Sequence, residues 1–234
     1  MINEQYKQML GGKSVIRQLS EFATARGKEI GYENVFDYSL GNPSVPVPEK
    51  FTQVMIELLQ TKSSMELHGY SPSLGIPSVK EKIAASLNRR FGMNYTANHI
   101  FPTTGAAGAV AHAVHCVTKP GDEVLTIAPF FPEYMPYVNL SGAKLKVVPA
   151  DTQNFQIHFE KLEEMLTDKV SAVLINTPNN PSGAVYNTQT LQRLGELLSR
   201  KQKEYGHDIF LISDEPYREI VFQGVDAPYV SKFY

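Results

Sequence analysis

Two short runs, Ala172-Val173-Leu174-Ile175 and Ile209-Phe210-Leu211-Ile212, contain no polar residue at all. A strand with one wet face alternates apolar and polar side chains. A run that is apolar throughout needs cover on both faces, the condition of a parallel sheet between helices. Residues Thr188 to Lys203 lie between the runs and repeat at helical spacing, long enough for the crossover that parallel strands require. The same alternation extends back along the chain. Ile100–Thr103, Glu123–Ala128 and Lys144–Val148 read as strands, with Ala106–Val117 and Phe159–Leu166 as helices. The expected class is α/β, a mostly parallel sheet with helices on both faces.

The residues before this region differ in style. Val15, Ile16, Leu19, Phe22 and Ala23 predict an amphipathic helix over about 14–26. The segment Ser39 to Pro48 holds three prolines and Gly41, which break any regular period, and Pro48 is suited to open the helix that follows. That helix carries its stripe at Phe51, Val54, Met55, Leu58 and Leu59, and a further helix runs from Pro77 to Arg90 after the loop His68–Gly75. The expected division is an arm or second-domain contribution over 1–48 and a main domain over 49–234.

With 42% apolar and 20% charged residues the chain has the balance of a folded globular protein, not a disordered one. A net charge of −2 gives no basic footprint, so nucleic acid is not an expected partner. Neither is a membrane, because no apolar run approaches the ~18 residues of a span. Cys116 is the only cysteine, which rules out an internal disulfide framework and fits a reducing cytoplasm. His112, His115 and Cys116 share helical spacing but lack a fourth ligand, so they read as packed helix residues and no metal is expected.

Ligands of open α/β sheets gather at the carboxyl ends of the strands, and the unusual residues fall there. Thr103-Thr104-Gly105-Ala106-Ala107-Gly108 precedes an alanine-rich helix, where small residues and free N–H groups suit a phosphate monoester. Pro129-Phe130-Phe131-Pro132-Glu133-Tyr134 follows a strand, and an aromatic ring there could stack on a flat cofactor or simply fill the core. Asn176-Thr177-Pro178-Asn179-Asn180-Pro181-Ser182-Gly183 is a rigid polar loop, with more asparagine than a turn needs. Ser213-Asp214-Glu215-Pro216-Tyr217 ends a buried run with a carboxylate, which demands a cation or donors opposite it. Alone, the first segment reads equally as a tight turn without a ligand, the second as core aromatics and the third as a structural turn.

Taken together, and with Ser39-Leu40-Gly41-Asn42-Pro43 and Gly69-Tyr70-Ser71-Pro72 upstream, the segments resemble the class I/II aminotransferases, fold-type I pyridoxal-phosphate enzymes, in order and spacing. The resemblance covers nearly the whole chain. It implies the large domain of that fold, pyridoxal 5′-phosphate as cofactor, an amino acid and a 2-oxo acid as substrates, and a homodimer. Gly105, Ala106 and Ala107 would give N–H groups to the phosphate, and Phe131 would stack on the ring. Asp214 would pair with the ring nitrogen, and Asn180 and Tyr217 would hydrogen-bond the ring's 3-oxygen. Tyr70 would reach the phosphate of a neighbouring subunit, and Gly41 with Asn180 would help receive the substrate carboxylate.

One departure stands out. The family's Schiff-base lysine belongs on a strand end some tens of residues past Asp214. Lys232 lies too close, with no apolar strand between Ile220-Val221-Phe222 and itself. The resemblance therefore implies further strands and the lysine beyond Tyr234, the chain as written being the N-terminal portion. A carbon–sulfur lyase or a cyclopropane-carboxylate synthase of the same fold would share nearly every motif. A non-catalytic cofactor-binding module is the alternative from another class. A dinucleotide-binding domain lacks its glycine and acid pattern here.

Overall fold

The computed structural model describes residues 4, 7, 14–41, 45–222 and 224–234, and the chain divides into two compact units, residues 1–70 and 71–234. The first unit contains α1 (Val15–Ile30), a 3-10 turn at Tyr32–Asn34, α2 (Glu49–Thr61) and α3 (Ser64–His68). α1 runs past the expected end at residue 26. Gly27 lets the Tyr32 ring close against the helix, and the Asn34 side chain donates to the Ile30 carbonyl at 2.7 Å. The predicted stripe of α2 forms, yet none of its residues is buried. α3 is not evident in the hydrophobic period because it is too short to show one. A capping box defines it: Ser63 Oγ accepts from the Glu66 N–H while the Glu66 carboxylate accepts from the Ser63 N–H. Residues 42–44 of the proline-rich segment lie outside the described residues.

The second unit holds α4 (Pro77–Phe91), α5 (Gly105–Val117), β1 (Glu123–Ile127), α6 (Tyr134–Leu140), β2 (Lys144–Val148), α7 (Phe159–Met165), β3 (Val170–Asn176), α8 (Thr188–Tyr205) and β4 (Phe210–Asp214). The four strands form one sheet in the order β2-β1-β3-β4, every pair parallel. Their period of two distributes side chains to two cores. Leu125, Ile127, Val173 and Ile175 face one side with Leu162 of α7 and Leu191, Leu194 and Leu198 of α8. Val124, Ala172 and Leu174 face the other, with Val110 and Val114 of α5 and Val138 of α6. The expected α/β class, a parallel sheet clothed on both faces, is the observed one.

Three expectations are corrected. Ile100–Thr103 is not a strand: Ile100 has extended backbone, but the segment, which follows a 3-10 turn at Ala97–His99, joins no ladder among the described residues. The apolar run of β4 is not covered on both faces as that of β3 is. β3 is buried at every residue, whereas β4 is an edge strand and Phe210 is 45% exposed. His112, His115 and Cys116 are exposed, because the buried side of α5 is set by Val110 and Val114. α6 was not anticipated, and Pro136 within it and its short length hide the helical period.

Candidate active site

β2 lies to one side of β1 while β3 and β4 lie to the other, so the chain changes direction between β1 and β3. Loops leaving the two strands diverge at such a point and open a crevice at the carboxyl ends. A cavity of about 230 Å³ occupies that crevice. This is below the ~300–1,000 Å³ usual for drug-sized ligands, which suits a single substituted ring and not a dinucleotide. Ala106, Ala107, Phe131, Asn180, Asp214 and Tyr217, all singled out in the sequence, line it.

The amino terminus of α5 forms one wall. Gly105, its first residue, adopts φ +76°, a left-handed conformation that side chains with a Cβ resist. The helix thus starts abruptly, with Ala106 and Ala107 at the cavity and first-turn N–H groups that have no intrahelical acceptor. Such an end attracts a phosphate.

Opposite it, β4 ends in Asp214, which pairs in register with Asn176 at the end of β3. Tyr134, fully buried at the start of α6, donates from Oη to Asp214 Oδ2 at 2.6 Å. Burial pushes the Asp214 carboxyl above its ordinary value, and the Tyr134 hydrogen bond pulls it partly back. Burial first, and then the Asp214 hydrogen bond and charge, push the Tyr134 phenol far upward, so it remains a donor. No hydrogen bond reaches the second Asp214 oxygen among the described residues. A desolvated carboxylate with a free oxygen facing a cavity is matched by a cationic ring N–H.

The loops are tied to each other by asparagines. Asn176 Nδ2 donates to the Asp214 carbonyl at 2.8 Å, and its Oδ1 accepts from the Asn180 N–H at 2.6 Å. Asn179 Nδ2 donates to the Pro129 carbonyl at 3.2 Å, and its Oδ1 accepts from Ser182 N and Oγ at 3.0 and 2.8 Å. Phe131 meets the Tyr134 ring edge-on at 5.8 Å between centroids. Behind Tyr217, Arg218 pairs with Glu215 and donates to the Ala227 and Pro228 carbonyls, which anchors the segment after β4.

Gly41 and Tyr70 belong to the first unit, where Gly41 has open space around it and Tyr70 is fully exposed. Lys232 is exposed on a 3-10 turn, Val230–Lys232, and no lysine is among the described residues lining the cavity. Sequence reasoning left Tyr134 and Asn176 without a role, as it did Val110, Tyr137 and Pro216, which also line the cavity. Asn176 did carry a signal, as a carboxamide closing a strand otherwise buried and mostly apolar, where both of its polar groups must find partners. Tyr134 carried none beyond its place in an aromatic segment. No cluster of three or more metal-ligating side chains occurs among the described residues.

Fold and site together define an α/β cofactor-binding domain, with an anion-receiving helix end and a cation-seeking carboxylate on opposite sides of one small crevice. The family model for aminotransferase class I and II matches residues 33–232. The chain is 31% identical to the aspartate aminotransferase of Thermotoga maritima over 218 residues, covering 89% of this chain and 55% of that protein. It is also 31% identical to aromatic-amino-acid aminotransferase 2 of Thermococcus litoralis, covering 91% and 51%. Among solved structures, an amino transferase from Eubacterium rectale superposes with TM-score 0.95 at 43% identity, over 100% of this chain and 59% of that one. The chain belongs to the class I and II aminotransferase family, whose members depend on pyridoxal phosphate. It spans about half the length of the curated relatives it matches.

Proposed function

We propose that this chain forms the cofactor-binding half of a pyridoxal-phosphate-dependent aminotransferase, which moves an amino group between an amino acid and a 2-oxo acid. The observation that carries the proposal is the placement of Asp214. Its free carboxylate oxygen, the open first turn of α5, and Asn180 with Tyr217 border one ring-sized cavity. A protonated ring nitrogen, a phosphate and a 3-oxygen are the groups these three features would receive.

When bound, the cofactor supplies an electron sink for the bond broken at the amino acid's Cα. The protein's residues provide the rest. Asp214 would hold the proton on the ring nitrogen, and the Tyr134 hydrogen bond offsets part of the burial that disfavours the ionised carboxylate. The N–H groups of Ala106 and Ala107 would hold the phosphate, while that of Gly105 donates to the Thr103 carbonyl at 3.0 Å, and Phe131 would lie against the ring. Asn180 and Tyr217 would hold the 3-oxygen, and Asn180 would help receive the substrate carboxylate. Tyr70 extends to the phosphate of a second subunit in a homodimer. The lysine expected of the family is not supplied by Lys232. The curated relatives, named for aspartate and for aromatic amino acids, support amino transfer over elimination.

The test is transfer of ¹⁵N from a labelled amino acid to a 2-oxo acid by the protein in its native form. Transfer should occur, and Asp214→Asn should slow it on the order of a hundredfold or more, the scale of removing a preorganised charge from a reacting centre. Transfer unaffected by that substitution contradicts the assignment.

A further inference from the structure

We infer that Asn176 is a positioning residue: its carboxamide clamps the end of β3 to the end of β4 and thereby sets the distance between Asn180 and Asp214. The inference rests on the reading of the cavity as the cofactor's ring pocket. On that reading the two residues meet two fixed positions of one rigid ring, its nitrogen and the oxygen on carbon 3, so their spacing must match it.

Asn176 is 4% exposed, and both of its side-chain groups are committed to main chain. The orientation of the amide is fixed by its partners, since an N–H can be met only by Oδ1 and a carbonyl only by Nδ2. Oδ1 holds the N–H of Asn180 at 2.6 Å, and Nδ2 holds the carbonyl of Asp214 at 2.8 Å. Asn176 and Asp214 are also ladder partners, and the Thr177 N–H adds a second, longer bond to the same carbonyl at 3.3 Å. One side chain thus spans the last rung of the sheet and the first turn of the loop that presents Asn180. Among the described residues no other side chain bonds to both. Asn180 lines the cavity, so a loop that loses the clamp would leave the ring's 3-oxygen and nitrogen partners free to drift apart.

Two variants separate the halves of the clamp. Asn176→Ala removes both bonds. Asn176→Asp at pH 8 keeps an acceptor for the Asn180 N–H and loses the donor to Asp214. The first readout needs no ligand: amide hydrogen exchange at Asn180 in the free chain. It should accelerate about tenfold in Asn176→Ala, the worth of one buried hydrogen bond, and stay protected in Asn176→Asp, with Val173 and Leu174 unchanged in both. Equal Asn180 protection in wild type and Asn176→Ala overturns the clamp, whatever the ligand does. The second readout is binding of pyridoxine 5′-phosphate, which has the ring, the 3-hydroxyl and the phosphate but no aldehyde and so needs no lysine. Its ultraviolet spectrum reports ionisation of the ring. Wild type should bind it, and both variants should bind about tenfold or more weakly with an altered spectrum, since each loses at least one positioning bond. Wild-type-like affinity and spectrum in Asn176→Ala also overturn the positioning role. A wild-type chain that fails to bind counts against the pocket reading itself, while the exchange measurement still decides the clamp.

Discussion

At Asp214 burial works against the charge of a carboxylate. Its carboxyl is raised in the folded chain above the unfolded value of about 3.9. A raised acid binds more protons folded than unfolded, so the stability it confers is complete below the unfolded value and is lost as pH rises through the folded value. Once ionised, the carboxylate is therefore a cost to the unliganded protein. Asp214→Asn should raise the unfolding midpoint of the ligand-free chain at pH 7 and leave it little changed near pH 3, as seen by thermal melts across pH. A lower midpoint at pH 7 would mean that the carboxylate is already compensated. Tyr134→Phe removes the bond that opposes burial, so it should destabilise the wild type at pH 7 and matter less in the Asp214→Asn background. The coupling from a double-mutant cycle should be about 1–2 kcal/mol, the lower part of the range for charged hydrogen bonds because the carboxylate is only partly buried. Zero coupling would show that the two groups do not interact.

At the scale of elements, β3 and the residues that follow it were the most legible part of the sequence, because an apolar strand ending in an asparagine-rich loop has few other places to go. The strand at Ile100–Thr103 was not legible correctly, since local sequence reports extended backbone but not whether a ladder partner is present. α6 was missed because a seven-residue helix containing a proline shows no period. Phe131, Asn180, Asp214 and Tyr217, singled out from their places at strand ends, line the cavity. The partners Tyr134 and Asn176 depended on tertiary contacts across 80 and 38 residues of sequence, which no local pattern encodes. α8 carries a constraint that only the folded chain reveals: a Cβ on Gly195 would sit 2.1 Å from the Phe233 carbonyl oxygen. Gly195→Ala, ordinarily a helix-stabilising change of about 1 kcal/mol, should instead destabilise by about 1–3 kcal/mol through overpacking. Chemical denaturation checks the sign, and a stabilised variant would show that the 230–234 segment yields without cost.

For the molecule as a whole, the sheet order β2-β1-β3-β4 matters more than any one residue. It places the direction change between β1 and β3, so three loops and one helix end meet at a single rim. No described helix is long and apolar enough to cross a membrane, and the exposed stripe of α2 is amphipathic, not spanning. The outer edge of β4 is unpaired among the described residues, and Phe210 beside it is exposed. The central claim is that this rim receives pyridoxal phosphate with its phosphate on α5 and its ring nitrogen on Asp214. Titrating the ¹⁵N-labelled chain with pyridoxal phosphate and mapping amide shifts tests it directly. The predicted result is saturable perturbation at Gly105, Ala106, Ala107, Asn180, Asp214 and Tyr217, with the α5 amides moving under inorganic phosphate as well. Shifts confined to other surfaces, or to lysines scattered over the chain, would contradict it.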